Sequence, residues 1–221
     1  MRVLDLCAGE LGWSKIFAAR GHQCVCVDLK HPKILPPGCR FIQTDILMLY
    51  EDYGIVIPCS GSQTEERFIF DFIVASTPCE EFSVHCMKFT AKKEHPYPEM
   101  GIKLFHHTRR LCEYSGLPFI MENVRCAEQF VGNAVAHAGS FYLWGNAVPP
   151  LLPKGLIKMG NQGGWRRGDG TFRERSKGAR IPGTKSATIP SELANCVAAY
   201  AERILEAKCQ DQKITPETMN R

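Results

Sequence analysis

Five short apolar runs recur along this chain, and each leads into a glycine turn or a residue that can do chemistry. Val3-Leu4-Asp5-Leu6-Cys7 opens into Ala8-Gly9-Glu10-Leu11-Gly12, Cys24-Val25-Cys26-Val27 is closed by Asp28, and Phe41-Ile42-Gln43-Thr44 is closed by Asp45. Phe72-Ile73-Val74-Ala75 precedes Thr77-Pro78-Cys79, and Pro118-Phe119-Ile120-Met121 ends at Glu122-Asn123-Val124. Runs of this length read as buried strands and fall far short of a membrane span. Helical patterns lie between them, through Ile16, Phe17 and Ala19 to about Gly21, and again over about residues 99–115. Strands and helices alternating at this spacing predict an α/β fold: a mostly parallel, doubly wound sheet with helices on both faces. Such sheets bind their ligands at the carboxyl ends of the strands, where all five terminal groups fall.

The remainder is less regular. Ser140-Phe141-Tyr142-Leu143-Trp144 reads as a further strand, antiparallel or at an edge, and residues 47–70 are mixed, with a turn cluster at 60–64. Residues 160–185 hold Gly, Arg and Lys with few apolar side chains and read as a mobile loop. A final helix from about 190 to 208 places Leu193, Val197, Tyr200, Ile204 and Leu205 on one face, and the tail from 210 to 221 reads as frayed. The resulting division is a catalytic region over 1–145, a basic segment over 146–185, a returning helix over 186–209 and a tail over 210–221.

With 221 residues, 44% of them hydrophobic, the chain can bury one substantial core. Its eleven cysteines are odd in number, contain no Cys-x-x-Cys, and follow an opening that reads as a strand and not as a signal peptide. Reduced thiols and a cytoplasmic location are therefore expected. Cys24 and Cys26 read as core, His106-His107 as helix surface, and no metal site is expected. The net charge of +4 is uneven: residues 154–185 carry +7 and the rest −3, a local surplus suited to a polyanion.

The glycine turn after the first strand, with an acid closing the second, follows nucleotide-binding logic. Gly9 lets backbone approach a ligand, and Asp28, 19 residues on, can accept from two ribose hydroxyls. The dinucleotide pattern lacks its third glycine, so NAD fits poorly. Asp45 can accept from an adenine amino group, although a turn or helix cap is the plainer role for either acid. Cys79 would gain from a helix N-terminus, which favours a thiolate, while Glu80 and Glu81 oppose this unless they point outward or serve as caps. Glu122, behind an apolar run, should be desolvated in a way that favours proton donation.

In this order, Asp5-Leu6-Cys7-Ala8-Gly9-Glu10-Leu11-Gly12, Asp28, Asp45, Pro78-Cys79-x-x-Phe82-Ser83 and Glu122-Asn123-Val124 resemble the cytosine-C5 DNA methyltransferases. The likeness covers roughly residues 1–125, with 184–205 similar to the closing helix of that family. It implies a Rossmann-like class I methyltransferase fold with S-adenosyl-L-methionine as cofactor. The cofactor would lie against Leu6, Cys7, Ala8, Gly9, Leu11, Gly12, Asp28, Leu29, Asp45, Ile46, Pro78 and Ser186. It implies Cys79 as the nucleophile on C6 of a flipped cytosine, Glu122 as the group that holds and protonates N3, and Asn123 as the residue ordering the loop of Cys79. Duplex DNA would be met by Ser83, Trp165, Arg166, Arg167, Arg173 and Arg175.

The chain departs from the family in four places. Cys7 replaces an aromatic wall, Leu11 replaces a glycine, and the Gln-x-Arg-x-Arg element expected after Glu122-Asn123-Val124 is missing, with Thr171-Phe172-Arg173-Glu174-Arg175 similar only in composition. About forty residues, 146–185, stand in place of a target-recognition domain. Short or relaxed sequence specificity follows as an expectation, as does a homodimer or partner protein completing the DNA cradle. The small size suits a phage or its bacterial host. Two alternatives stay open: the same fold acting on RNA, on a free nucleotide or with a modified sulfonium donor, and an inactive homologue that binds nucleic acid.

Overall fold

The computed structural model describes residues 1–49, 56–57, 66–67, 69–86, 98–156, 165–166, 172–173 and 188–214. Arg2–Leu6 forms β1, Ser14–Ala19 α1, Gln23–Asp28 β2 and Cys39–Gln43 β3, followed by a short antiparallel pair of β4 (Val56–Ile57) and β5 (Glu66–Arg67). Phe72–Ser76 is β6, Glu80–Cys86 α2, Glu99–Tyr114 α3, Phe119–Asn123 β7, Glu128–Val131 α4, Ala136–Ala138 β8 and Phe141–Gly145 β9. A second antiparallel pair joins β10 (Trp165–Arg166) to β11 (Phe172–Arg173), and α5 spans Ser191–Ile214.

The main sheet has seven strands in the order β3-β2-β1-β6-β7-β9-β8. All contacts from β3 through to β7 are parallel, and β9 runs antiparallel to both of its neighbours. This is the doubly wound, Rossmann-like sheet of class I methyltransferases. The chain travels outward from β1 to β3 and then returns to β6, so the switch point lies between β1 and β6. The turns after those two strands therefore open side by side.

Alternation along the strands sorts the core into two layers. Val3, Val74 and Ile120 pack with Phe17 of α1 and Leu193 and Val197 of α5; Leu4, Ile73 and Met121 pack with Phe82 of α2, Phe105 of α3 and Val131 of α4. Helix α5 is also clamped by charge, because both oxygens of Glu202 accept from Arg20 (2.9 and 2.5 Å) and one meets His22 Nε2 at 2.8 Å. The bond from Arg20, helped by His22, holds the Glu202 carboxyl down at about 2.

Asp5 is the charged exception in the centre of the sheet. It is fully buried, accepts from Ser14 N (3.3 Å) and Ser14 Oγ (2.5 Å), and leaves Oδ1 unpartnered. Burial lifts its carboxyl to about 7 against the pull of the Ser14 bonds. The folded chain thus keeps a proton that the unfolded chain releases near pH 4, so stability contributed by this group falls between about pH 4 and pH 7 and is level above. Asp5→Asn should remove that slope, on the order of a few kcal/mol across the window. Denaturant midpoints of both chains at pH 5 and pH 7.5 check it; parallel pH profiles would contradict it.

Cys24 and Cys26 are buried and donate to Ser14 O (3.7 Å) and Ser14 Oγ (3.2 Å), as a core role requires. Among the described residues no group of three or more His, Cys, Asp or Glu side chains is arranged to hold a metal ion, and no helix is long and apolar enough to cross a membrane.

Several expectations are corrected. Cys126 is disulfide-bonded, against a chain of reduced thiols. Helix α5 continues to Ile214, past the expected end at 209 and into the segment read as frayed. The segment read as a mobile loop contains the paired strands β10 and β11, with Trp165 opposite Arg173. The strand read over 140–144 as antiparallel or at an edge is β9, antiparallel as expected, and the edge beyond it is β8, whose three residues are too few to show in the sequence pattern.

Candidate active site

The glycine turn between β1 and α1 is held in a conformation that most residues avoid. Cys7 (φ 55°), Gly9 (φ 50°) and Leu11 (φ 60°) all sit in the left-handed region. For a non-glycine residue this costs roughly 1–2 kcal/mol. At Leu11 the cost is offset by complete burial of the side chain in the core, worth about 1.5–3 kcal/mol. That balance explains how leucine stands where a glycine is usual. It also means that Leu11, like the fully buried Leu6, offers the cavity no side chain.

Asp28 ties this turn to the end of β2. Its Oδ2 accepts from Gly9 N at 2.9 Å and its Oδ1 from Lys30 N at 3.0 Å, leaving each oxygen further acceptor capacity toward the cavity. Gly12 meets the segment leading into α5. A Cβ built there would lie 2.8 Å from Ile189 Cβ and 2.9 Å from Ile189 N. Gly12→Ala should therefore destabilise the fold by about 1–3 kcal/mol through overpacking. A denaturant midpoint shift corresponding to less than about 0.5 kcal/mol would contradict so close an approach.

Cys79 and Glu122 border one cavity from the ends of the neighbouring strands β6 and β7. Ser76, the last residue of β6, is in register with Glu122 at the tip of β7, and Cys79 follows three residues later as α2 begins, its carbonyl accepting from Ser83 N at 2.9 Å. Cys79 is half-buried and Glu122 is only 3% exposed. Thr77, between them, is held from the next strand: Asn123 Nδ2 donates to Thr77 Oγ1 (2.9 Å) and Thr77 O (3.1 Å). On the other side Trp13 Nε1 donates to Ser76 Oγ at 2.9 Å. Glu81 turns away to accept from Gly101 N (2.8 Å) at the start of α3, so one of the two acids behind Cys79 serves as a cap.

These groups border one cavity of about 470 Å³, which reaches from Gly9 and Asp28 to Cys79 and Glu122. An adjoining recess of about 70 Å³ is walled by Leu29, Ile46, Pro78 and Leu104 and edged by Asp45. Cys7 lines both, and burial, reinforced by Asp28, raises its thiol well above the ordinary range, so it stays protonated. Asp45 also plays the plainer part foreseen for it, since its Oδ1 accepts from Leu47 N at 2.9 Å and caps a helical turn. Another cavity of about 500 Å³, lined by Arg109 and Trp144, lies at the opposite end of β7 and contains neither thiol nor Glu122.

Of the other candidates, Ser83 is half-buried on α2 outside the cavity, and Trp165, Arg166 and Arg173 are placed only as strand backbone. Ser186, Arg167 and Arg175 lie outside the described residues. Trp13, Thr188, His31 and the cations Lys30 and Lys33 line the cavity without having been singled out. The indole directly after Gly12 was a usable signal; the loop cations carried none.

The strand order and the paired turns define a class I methyltransferase fold. Neither a protein-family model nor a curated protein sequence matches the chain. Among solved structures, it is similar to the PH0226 protein of Pyrococcus horikoshii OT3, with 20% identity, coverage of 57% of this chain and 50% of that one, and a TM-score of 0.32. It is also similar to the 1,6-didemethyltoxoflavin-N1-methyltransferase of Burkholderia thailandensis, solved with S-adenosylhomocysteine, with 16% identity, coverage of 65% and 53%, and a TM-score of 0.29. The antibiotic-resistance methyltransferase Kmr gives 12% identity, coverage of 56% and 58%, and a TM-score of 0.29. The chain thus spans 50–58% of the length of these three structures, and overlaps this partial leave the substrate to be argued from the site.

Proposed function

We propose that this chain transfers a methyl group from S-adenosyl-L-methionine to C5 of cytosine in DNA through a covalent adduct at Cys79. The observation that carries the reading is that Cys79 and Glu122 share one cavity with the Gly9 turn and Asp28. The residues fit the cofactor: Gly9 brings backbone to the cavity wall, Asp28 suits ribose hydroxyls, and the apolar recess edged by Asp45 suits an adenine. Bound S-adenosyl-L-methionine supplies an electrophilic methyl group on its sulfonium.

The chain supplies the rest. The Cys79 thiolate forms a bond from Sγ to C6, the C5–C6 π pair moves onto C5, and Glu122 delivers a proton to N3. C5, now an enamine carbon, accepts the methyl group. Loss of the C5 proton to a base, cleavage of the Sγ–C6 bond and return of the N3 proton to Glu122 restore the ring and the catalytic groups. A cytosine within a duplex reaches Cys79 only when flipped from the stack. With about forty residues in place of a recognition domain, few base edges can be read, so specificity is short or relaxed.

Duplex DNA carrying 5-fluorocytosine tests the chemistry, because fluorine blocks loss from C5 and strands the adduct. A complex resistant to denaturation, mapped to the Cys79 peptide, is expected in the presence of cofactor. Its absence, with cofactor binding intact, would contradict the reading. The cavity rim adds a prediction on DNA affinity. Lys30 and Lys33 are exposed, and their loop is braced by Asp28, by Gln43 Nε2 on Leu29 O (3.0 Å) and by His31 packed edge-on to Phe41. Replacing both by alanine should flatten the log–log salt dependence of DNA binding by about two; an unchanged slope would remove them from the interface.

A further inference from the structure

We propose that Trp13 is a positioning residue that makes the presentation of Cys79 depend on the glycine turn, acting through its indole N–H bond to Ser76. The inference rests on reading Cys79 as the nucleophile. Two side-chain anchors from other elements act on residues 76 and 77. One is Asn123, at the end of β7, which grips both the hydroxyl and the carbonyl of Thr77. It belongs to the sheet, as part of β7. The other is Trp13, which follows Gly12, immediately precedes α1, and reaches 63 positions along the chain to Ser76 Oγ at 2.9 Å.

The two anchors differ in what can move them. The stretch from Cys7 to Trp13 contains two non-glycine residues in left-handed conformation, so its shape is imposed by its surroundings. A ligand seated against Gly9 and Asp28 is part of those surroundings. Trp13 is 1% exposed yet borders the same cavity as Ser76, Thr77 and Cys79. An indole N–H is a donor only, and a buried one that loses Ser76 is left unpaired. Any shift of the turn therefore either carries Ser76 along or breaks the bond. In both cases, occupancy of the turn reaches the loop of Cys79.

Three substitutions isolate the bond. Trp13→Phe keeps a ring and removes the N–H, Ser76→Ala removes the acceptor, and Ser76→Thr restores a hydroxyl. The primary readout is the rate at which iodoacetamide alkylates Cys79, followed by mass spectrometry of its peptide with and without S-adenosylhomocysteine. The unmodified chain should show a ligand-dependent change of about threefold or more, Trp13→Phe and Ser76→Ala should show none, and Ser76→Thr should recover it. The 5-fluorocytosine adduct should form about tenfold more slowly in the first two variants, with ligand affinity within about threefold of the unmodified chain. The double variant should be no worse than either single one. An unresponsive thiol in the unmodified chain, a retained response in Trp13→Phe or Ser76→Ala, or additive losses in the double variant would each overturn the proposal. If Trp13→Phe fails to fold, Ser76→Ala decides alone. An unmodified chain that forms no DNA adduct, yet shows the ligand response and loses it in both variants, would sink the cytosine chemistry and keep the coupling.

Discussion

Cys79→Ser is expected to abolish methyl transfer while leaving the fold and cofactor affinity unchanged. The sulfur stands at the junction of β6 and α2, half-buried, with its backbone fixed by Ser83 below and by Thr77 through Asn123. Serine fills the same space, so these contacts survive. Its hydroxyl, however, ionises far less readily than a thiol and is a much weaker nucleophile toward C6. Without addition at C6, C5 has no enamine character, and the methyl group has no acceptor. The loss should be about 10⁴-fold or more in single-turnover rate. Calorimetric titration with S-adenosylhomocysteine, run beside the rate measurement, separates chemistry from binding. A variant within about tenfold of the unmodified chain would exclude Cys79 as the nucleophile.

Glu122→Gln is the second large effect. Glu122 is 3% exposed, sits in register with Ser76, and borders the same cavity as Cys79. Glutamine preserves its volume and can still hydrogen-bond the edge of a pyrimidine, so binding of the flipped base should fall little. What it cannot do is deliver a proton to N3 as negative charge develops in the ring. The expected cost is about 10²–10⁴-fold in turnover, with a KM changed by a few-fold at most. Unchanged turnover would assign N3 protonation elsewhere; a raised KM with normal turnover would reduce Glu122 to a binding group.

Much of the architecture was legible because parallel strands announce themselves. A strand buried on both faces is apolar almost throughout, and apart from Asp5 the runs of β2, β6 and β7 turn polar only at their ends, at Asp28, Ser76 and Glu122. The strand order, with the ends of β1 and β6 side by side at the switch point, comes from the structure. What stayed hidden depends on contacts between distant segments. Ile189 lies across Gly12, and Trp13 reaches Ser76; no local pattern encodes either meeting. Leu104 walls the apolar recess from an amphipathic helix on which any of several apolar residues would have served equally well as a guess. Leu6 and Leu11 are a different case. The motif marks where backbone approaches a ligand, while both side chains turn into the core and Leu11 is paid for there by its burial.

The most direct test of the account supplies the chain with S-adenosyl-L-methionine labelled on its methyl group and with duplex DNA of mixed sequence, digests the DNA to nucleosides and identifies the labelled one. The account predicts 5-methylcytosine, present with the unmodified chain and missing with Cys79→Ser. Label on another nucleoside, or 5-methylcytosine that survives the loss of Cys79, would contradict it.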